Sequence, residues 1–128
     1  MNEQQTVFLV DDDPAVLKAL SRLLRAEGYR TETFNSGRDF MDKYKPGVGG
    51  CLVLDLSMPG ISGLDVQEWV ANSGHPLPTI FLTAQDDIPE QMQVILDRAA
   101  GVLMKPVSAS TLLRSIEEVM GRRRERGA

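Results

Sequence analysis

An acidic cluster directly follows the first apolar run of the chain, in the stretch VFLVDDDP at residues 7–14. Neighbouring carboxylates repel one another, because two unit charges about 4 Å apart interact by roughly 4 kcal/mol at an effective dielectric constant near 20. Such a cluster is costly unless a cation lies beside it. Asp11, Asp12 and Asp13 therefore predict a cation-binding site at the end of a buried strand.

Three other polar residues, Asp55, Thr83 and Lys105, also follow apolar runs. Each has an ordinary structural explanation, as a loop carboxylate, a strand-end hydroxyl and part of a solvated turn. Asp13 has one too, because aspartate is a favoured N-cap and Pro14 suits the first position of a helix. What these residues can do together depends on whether the fold brings them to one place.

Hydrophobic periodicity divides the chain into alternating strands and helices. Apolar runs predict five strands, at residues 7–10, 29–34, 51–54, 79–82 and 102–104. Apolar residues at helical spacing follow each strand. The predicted helices begin after Asp13, after Ser36, after the turn-rich loop at 57–63, near Ile88 for the segment 88–99, and after Ser108.

This alternation predicts an α/β fold in which a doubly wound, five-stranded parallel sheet carries helices on both faces. In open sheets of this kind, binding sites form beyond the carboxyl ends of the strands, at the point where the winding reverses. Asp11, Asp55, Thr83 and Lys105 all stand at or just after predicted strand ends. We therefore expect their side chains to converge on one edge of the sheet.

Composition narrows the class of protein. A chain of 128 residues with 42% apolar content has the size of one domain, and its net charge of −4 disfavours a nucleic-acid-binding surface. The single cysteine, Cys51, cannot form an internal disulfide, which suits a reducing compartment. No run approaches the roughly 20 apolar residues of a membrane span. We expect a cytoplasmic protein that does not associate with membranes.

The motifs FLVDDD, LVLDLSMPGISG, IFLTA and LMKP, in this order, resemble the receiver domain of bacterial two-component response regulators. The resemblance implies a flavodoxin-like three-layer sandwich with strand order 2-1-3-4-5. It assigns residues 1–121 to the receiver domain and leaves 122–128 as a basic tail or the start of a linker. The stretch DDIPEQMQVI at 86–95 is similar to the subgroup whose full-length members often carry a helix-turn-helix output domain.

The resemblance implies that Asp55 accepts a phosphoryl group from a sensor histidine kinase or a phosphotransfer protein, in a reaction that the domain catalyses only on itself. The implied cofactor is Mg²⁺, held by Asp11, Asp12, Asp55 and the backbone carbonyl of Ser57. The chemistry of these side chains is compatible with the implied roles, because a carboxylate can act as a phosphoryl nucleophile and Mg²⁺ prefers oxygen ligands. On this interpretation Mg²⁺ is the cation beside the acidic cluster, and Asp13 caps the following helix.

Two further side chains receive roles from the same resemblance. Lys105 is implied to pair with phosphoryl oxygens, and the Thr83 hydroxyl to bond one of them after phosphorylation. The peptide bond between Lys105 and Pro106 is expected to be cis, an isomer that X-Pro bonds permit. Val102 departs from the family, which usually has Tyr or Phe at this position. We therefore expect coupling to the output surface without a large aromatic rotation.

The resemblance also implies how such a domain would signal. A candidate homodimer surface consists of the predicted helix at 88–99, the fifth strand and the last helix. Nucleic acid would be bound only through an output domain that is absent from these residues. The basic residues at 122–126 indicate a solvated helix end or a linker, because the run is short and is interrupted by Glu125.

Two alternatives use related residues. A Mg²⁺-dependent phosphohydrolase of the haloacid dehalogenase type also has aspartates after its first strand, but carries Thr or Val two residues after the second one. Here Asp13 is followed by Pro14 and Ala15. A flavin-binding module of the same fold would need a hydroxyl-rich phosphate loop after strand one, where three carboxylates would instead repel phosphate.

Overall fold

Five strands in the computed structural model of this protein form one parallel sheet in the order β2-β1-β3-β4-β5. The structure describes residues 5–47, 49–84, 93 and 96–121. The predicted fold class and strand order are confirmed. The strands are β1 (Thr6–Val10), β2 (Thr31–Phe34), β3 (Gly50–Asp55), β4 (Thr79–Thr83) and β5 (Gly101–Met104).

The predicted start of β2 is two residues too early. The backbone N–H of Tyr29 donates to the carbonyl of Leu24 at 3.0 Å and so closes the end of the preceding helix. The sheet pairing of this strand begins with Val7 opposite Thr31. Tyr29 is buried although it lies outside the strand, because its side chain packs into the core.

Helices begin where the sequence predicts N-caps. They are α1 (Pro14–Ala26), α2 (Gly37–Lys43), α3 (Gly63–Ala71) and a C-terminal helix (Ala109–Ile116), which continues as a π-helical turn at Glu117–Gly121. The side chains of Asp13, Ser36 and Ser108 cap three of these helices by accepting backbone N–H groups of their first turns. Ser62 and Asp65 form a capping box at the start of α3, which the sequence interpretation missed.

The predicted helix at 88–99 falls largely outside the described residues, as do the stretch 86–92 and the basic residues 122–128. Within the described part, the backbone N–H of Asp97 donates to the carbonyl of Gln93 at 2.8 Å, which is the spacing of a helical hydrogen bond.

The core has two halves, one on each face of the sheet. On one face, Phe8, Leu52 and Phe81 pack with residues of α2 and α3. On the other, alternate strand residues such as Val7 and Ile80 pack with α1 and the C-terminal helix. Because both faces are covered, every residue of the central strands β1, β3 and β4 is buried except Gly50, which is half-buried at the start of β3. This explains why these strands are continuous apolar runs in the sequence.

Candidate functional site

The sheet brings the predicted site residues to its carboxyl edge. The register pairs Val10 with Leu54 and Thr83 with Met104. Asp11 directly follows Val10, Asp55 follows Leu54, and Lys105 follows Met104. The Lys105 N–H continues the β4–β5 pairing by donating to the Thr83 carbonyl at 2.8 Å. The predicted convergence on one edge is therefore confirmed for the strand ends.

The three aspartates of the acidic cluster differ in their surroundings. Asp11 is only 2% exposed, whereas Asp12 and Asp13 lie at the surface. Oδ1 of Asp11 accepts the Asp13 N–H at 2.9 Å, and the Asp13 side chain accepts the Ala15 N–H at 2.9 Å. Asp13 is thus turned toward α1 as its N-cap, and the cluster is not one group of three equivalent carboxylates.

Asp55 ends β3 and is 4% exposed. Its Oδ1 accepts the Ser57 N–H at 3.3 Å, and its Oδ2 lies 3.4 Å from Nζ of Lys105. Burial, followed by the nearby charge of Asp11, raises the pKa of Asp55 to about 6, although Lys105 and the Ser57 N–H act in the opposite direction. Asp55 is therefore a buried carboxylate that is harder to ionise than usual.

Lys105 lies between two buried carboxylates. Its ammonium is 2.9 Å from Oδ2 of Asp11 and 3.4 Å from Oδ2 of Asp55. Burial alone lowers the pKa of Lys105, but the hydrogen bond and charge of Asp11, together with those of Asp55, outweigh it and raise the pKa overall. The ammonium therefore stays charged at neutral pH. The peptide bond from Lys105 to Pro106 is cis, as expected.

The acidic residues fit a divalent cation. Carboxylate oxygens of Asp11, Asp12 and Asp55 all lie within 4.8 Å of one another. Together with the Lys105 ammonium, these three carboxylates carry a formal charge of −2 when ionised, which one divalent cation neutralises. Oδ2 of Asp11 is buried and, within the described residues, has no well-aligned hydrogen bond besides its ion pair with Lys105. An oxygen-rich, negatively charged site with a spare lone pair is what Mg²⁺ prefers.

Thr83 and Ser57 occupy different positions at this edge. Thr83 is fully buried and is the last residue of β4, next to Leu82, which pairs in register with Asp55. Ser57 is exposed, and its N–H is turned toward the Asp55 carboxylate. Thr83 is thus one residue from the register partner of Asp55, and the Ser57 backbone is two residues from Asp55 along the chain.

The family model that describes the response regulator receiver domain matches residues 7–117. The chain belongs to this family. Among curated relatives, the response regulator protein TmoT of Ectopseudomonas mendocina is 40% identical over 121 residues, which cover 94% of this chain and 55% of that protein. The chain thus spans about half the length of the curated relatives that it matches.

Solved structures give the same assignment. Response regulator StyR, 39% identical, superposes with a TM-score of 0.84 over 95% of this chain and 62% of that one. A CheY-like receiver domain protein from Methanospirillum hungatei JF-1, 26% identical, superposes with a TM-score of 0.81 over 95% of this chain and 98% of that one. The receiver fold is therefore shared with proteins of distant sequence.

Membership of the receiver family decides between the functions considered. Receiver domains are signalling domains that interact with histidine kinases or phosphotransfer proteins and generally bind Mg²⁺ at an acidic pocket. The phosphohydrolase alternative is not supported, and Asp13, which it needs in the cluster, caps α1 instead. Within the described residues, no helix has the length and apolar character needed to cross a membrane.

Proposed function

We propose that this receiver domain accepts a phosphoryl group on Asp55 from a histidine kinase or phosphotransfer protein and thereby changes an output surface. The observation that carries the proposal is the contact between the buried Asp55 carboxylate and the Lys105 ammonium at 3.4 Å, inside a group of three carboxylates. A reaction that brings in negative charge and needs a cation uses all of these groups.

The chemistry follows from the positions of the side chains. A carboxylate oxygen of Asp55 attacks the phosphorus atom of a phosphohistidine, the P–N bond breaks, and the histidine nitrogen retains the electron pair and takes a proton from solvent. Lys105 neutralises charge on the phosphoryl oxygens. Mg²⁺, when held by Asp11, Asp12, Asp55 and the Ser57 carbonyl, supplies further positive charge to the transferred group. The domain catalyses this reaction only on itself.

Output is proposed to begin at Thr83. Its hydroxyl would bond a phosphoryl oxygen, which shifts the end of β4 and the residues that follow it. Val102, on the neighbouring strand, is 38% exposed and is a small, stiff side chain. We propose that the change reaches β5 through the backbone, since no aromatic ring at residue 102 can move inward to fill space vacated by Thr83.

The extent and partners of the domain are proposed on the same basis. Residues 1–121 are proposed to form the receiver domain, and 122–128 to be a basic tail or the start of a linker. Nucleic acid would be bound through an output domain in a longer protein, as in the subgroup that residues 86–95 resemble.

Val102 and Met104, both exposed apolar residues of β5, are proposed to contribute to a homodimer surface with the C-terminal helix and the segment 88–99. We propose a cytoplasmic location, which is general among response regulators.

The test is incubation with acetyl phosphate and Mg²⁺, followed by intact-mass measurement. The parent should gain one phosphoryl group in a form that hydroxylamine removes, and EDTA should prevent the gain. Asp55→Asn should gain none, whereas Asp42→Asn, which changes an exposed carboxylate of α2, should behave as the parent. The same hydroxylamine-labile adduct on Asp55→Asn would reject the proposal.

A further inference from the structure

The loop that connects β3 to α3, residues 56–62, leads into Gly63, the first residue of α3, which lies against the acceptor residue itself. We call this loop the acceptor loop. The backbone N–H of Gly63 donates to the Leu56 carbonyl at 3.1 Å and closes the loop. A Cβ atom on Gly63 would overlap the carbonyl oxygen of Asp55 and lie 2.9 Å from Cα of Leu56. Any side chain at position 63 would therefore displace the peptide group that joins Asp55 to Leu56.

A second close approach holds the acceptor loop from the side of α2. A Cβ atom on Gly37, the first residue of α2, would lie 2.8 Å from Cγ2 of Val66 and 3.1 Å from Cγ2 of Ile61. Ile61 belongs to the acceptor loop, and Val66 is fully buried in the first turns of α3. Because Val66 is β-branched and close-packed, it cannot turn away at low cost.

Two other glycines lack such contacts, Gly60 in the acceptor loop and Gly49, which precedes β3 at the opposite edge of the sheet. A Cβ atom on Gly60, at the tip of the acceptor loop, would meet no described heavy atom within 4 Å, although its φ of +80° favours glycine. A Cβ atom on Gly49 would meet only Cγ of Gln5, at 4.0 Å, among the described atoms, and its φ is unremarkable for an L residue. Among these four glycines, Gly63 and Gly37 are the close-packed ones.

The site is sensitive to where the Asp55 peptide lies. The carboxylate has one contact on each oxygen, with the Ser57 N–H at 3.3 Å and with Nζ of Lys105 at 3.4 Å. Both are near the long limit for their type, so a shift of about 1 Å would break at least one of them. A misplacement of that size at a reacting group can reduce a rate by about 100-fold.

We propose that Gly63 and Gly37 are positioning residues for the Asp55 carboxylate, which set its distance from Lys105 and from the acidic pair Asp11 and Asp12. This inference rests on the proposed function. Gly63 acts directly, by allowing the loop to close against the Asp55 peptide. Gly37 acts through Ile61 and Val66, by allowing α2 to lie against the loop and the start of α3.

The experiment compares Gly63→Ala, Gly37→Ala and the matched control Gly49→Ala. The rate of phosphoryl-adduct formation from acetyl phosphate is measured by mass at saturating Mg²⁺, and the Mg²⁺ Kd by Trp69 fluorescence. Urea unfolding in the same buffer confirms that each variant is folded during the assay. We expect the rate to fall by about 100-fold for Gly63→Ala and about 10-fold for Gly37→Ala, and to stay within about twofold for Gly49→Ala.

A rescue variant separates positioning from general stability. Adding Val66→Ala to Gly37→Ala removes the nearest contact of the new methyl group, with Cγ2 of Val66, and leaves the longer contact with Ile61. We expect the double variant to recover a rate within about threefold of the parent. Its urea midpoint should fall below that of Gly37→Ala, because a buried cavity is created. A purely structural role predicts that the rate falls together with the midpoint.

Two results would overturn the inference: a parent-like rate in Gly63→Ala, or a double variant slower than Gly37→Ala. If Gly63→Ala does not fold, Gly37→Ala and its rescue decide the question. If the parent itself forms no adduct, the proposed function fails, and the Mg²⁺ Kd then tests the positioning role. Weaker Mg²⁺ binding in the order Gly63→Ala, Gly37→Ala, Gly49→Ala would support it, and equal Kd values would overturn it.

Discussion

Nζ of Lys105 lies 2.9 Å from Oδ2 of Asp11, closer than its 3.4 Å distance from Oδ2 of Asp55. One ammonium is therefore shared by two carboxylates that are both nearly inaccessible to water. The acidic cluster has an internal cation of its own, and the charge that remains is the part that a divalent metal ion can neutralise. Lys105 neutralises two of the three carboxylates that would hold Mg²⁺, so the effects of Lys105 and of Mg²⁺ on stability and affinity should be linked.

Lys105→Met tests this link. Without the ammonium, Asp11 and Asp55 face each other unneutralised. The free energy of unfolding in EDTA at pH 7 should fall by about 1–3 kcal/mol, less than the roughly 3–5 kcal/mol of a fully buried pair because the Lys105 side chain is 21% exposed. The site becomes more negative, so Mg²⁺ should bind more tightly and restore part of the loss. Urea unfolding with and without Mg²⁺, together with a Mg²⁺ titration, measures both effects.

Lys43→Met is the matched control. Lys43 and Asp39 form an ion pair of the same 2.9 Å length, but the Lys43 side chain is 67% exposed. Surface pairs of this kind contribute less than about 1 kcal/mol. Loss of Lys43 should therefore leave the Mg²⁺ Kd unchanged. Equal losses of stability in the two variants would contradict the burial argument.

The stability of the metal-free protein should depend on pH through Asp55. Its pKa of about 6 in the folded protein lies above the unfolded value of about 3.9, so the folded state binds more protons between these values. The free energy of unfolding therefore increases as the pH falls from 7 toward about 4, and decreases as the pH rises through the same range. Asp55→Asn should flatten that part of the curve and stabilise the protein at pH 7 by on the order of 2 kcal/mol.

Urea unfolding in EDTA between about pH 4 and 7 measures the difference between the parent and Asp55→Asn, which removes contributions common to both. Saturating Mg²⁺ should shift the parent's titration to lower pH, because the cation favours the ionised carboxylate. Parallel curves for the two proteins in EDTA would show that Asp55 ionises in the folded protein as it does in the unfolded chain.

Asp12 and Asp13 are adjacent, both exposed, and should nevertheless respond differently to substitution. Asp12 contributes an oxygen to the group of three carboxylates, so Asp12→Ala should weaken Mg²⁺ binding by about tenfold or more with little loss of stability. Asp13 caps α1, so Asp13→Ala should cost about 1 kcal/mol and change the Mg²⁺ Kd by less than about threefold.

A Mg²⁺ titration and a urea curve on each variant separate these two effects. The adjacent positions serve as controls for each other, because both variants lose one carboxylate near the site. If both variants lose Mg²⁺ affinity to the same extent, the ion senses only the total charge of the region, and the assignment of Asp12 as a ligand is wrong.

The exposed apolar side chains of β5 should promote self-association. Val102 is 38% exposed and Met104 is 47% exposed, and the two point to the same side because they are two residues apart on a strand. Met104→Glu should weaken any dimer that forms after phosphorylation by about tenfold or more. Thr33→Glu, which adds the same charge to the opposite edge strand β2, should have little effect.

Sedimentation of each protein over a concentration series, before and after treatment with acetyl phosphate and Mg²⁺, provides the measurement. A dimer that survives Met104→Glu unchanged would exclude this face of β5 from the interface. A dimer weakened equally by both variants would indicate a general charge effect, since each adds one carboxylate to a protein that already carries a net charge of −4.

Much of the fold is determined by patterns that are local in sequence. Residues 7–10 and 51–54 are strands because apolar side chains fill both faces of a covered sheet, and Asp13 with Pro14 starts a helix because of backbone geometry within one turn. Alternation of strands and helices then implies parallel pairing, so the meeting of Asp11, Asp55 and Lys105 at one edge follows without knowledge of the tertiary structure. The roles given to these residues came from family resemblance.

Other features depend on contacts between distant segments, which no local pattern specifies. Burial separates Asp11 from Asp12, and Nζ of Lys105 lies nearer to Asp11 than to Asp55 although β3, which carries Asp55, is the nearer strand to β5. The need for glycine at position 63 also depends on the fold, because a Cβ atom there would overlap the carbonyl oxygen of Asp55. The sequence alone determined which groups reach the edge, and the packing of the strands decided which of them are buried, paired or turned away.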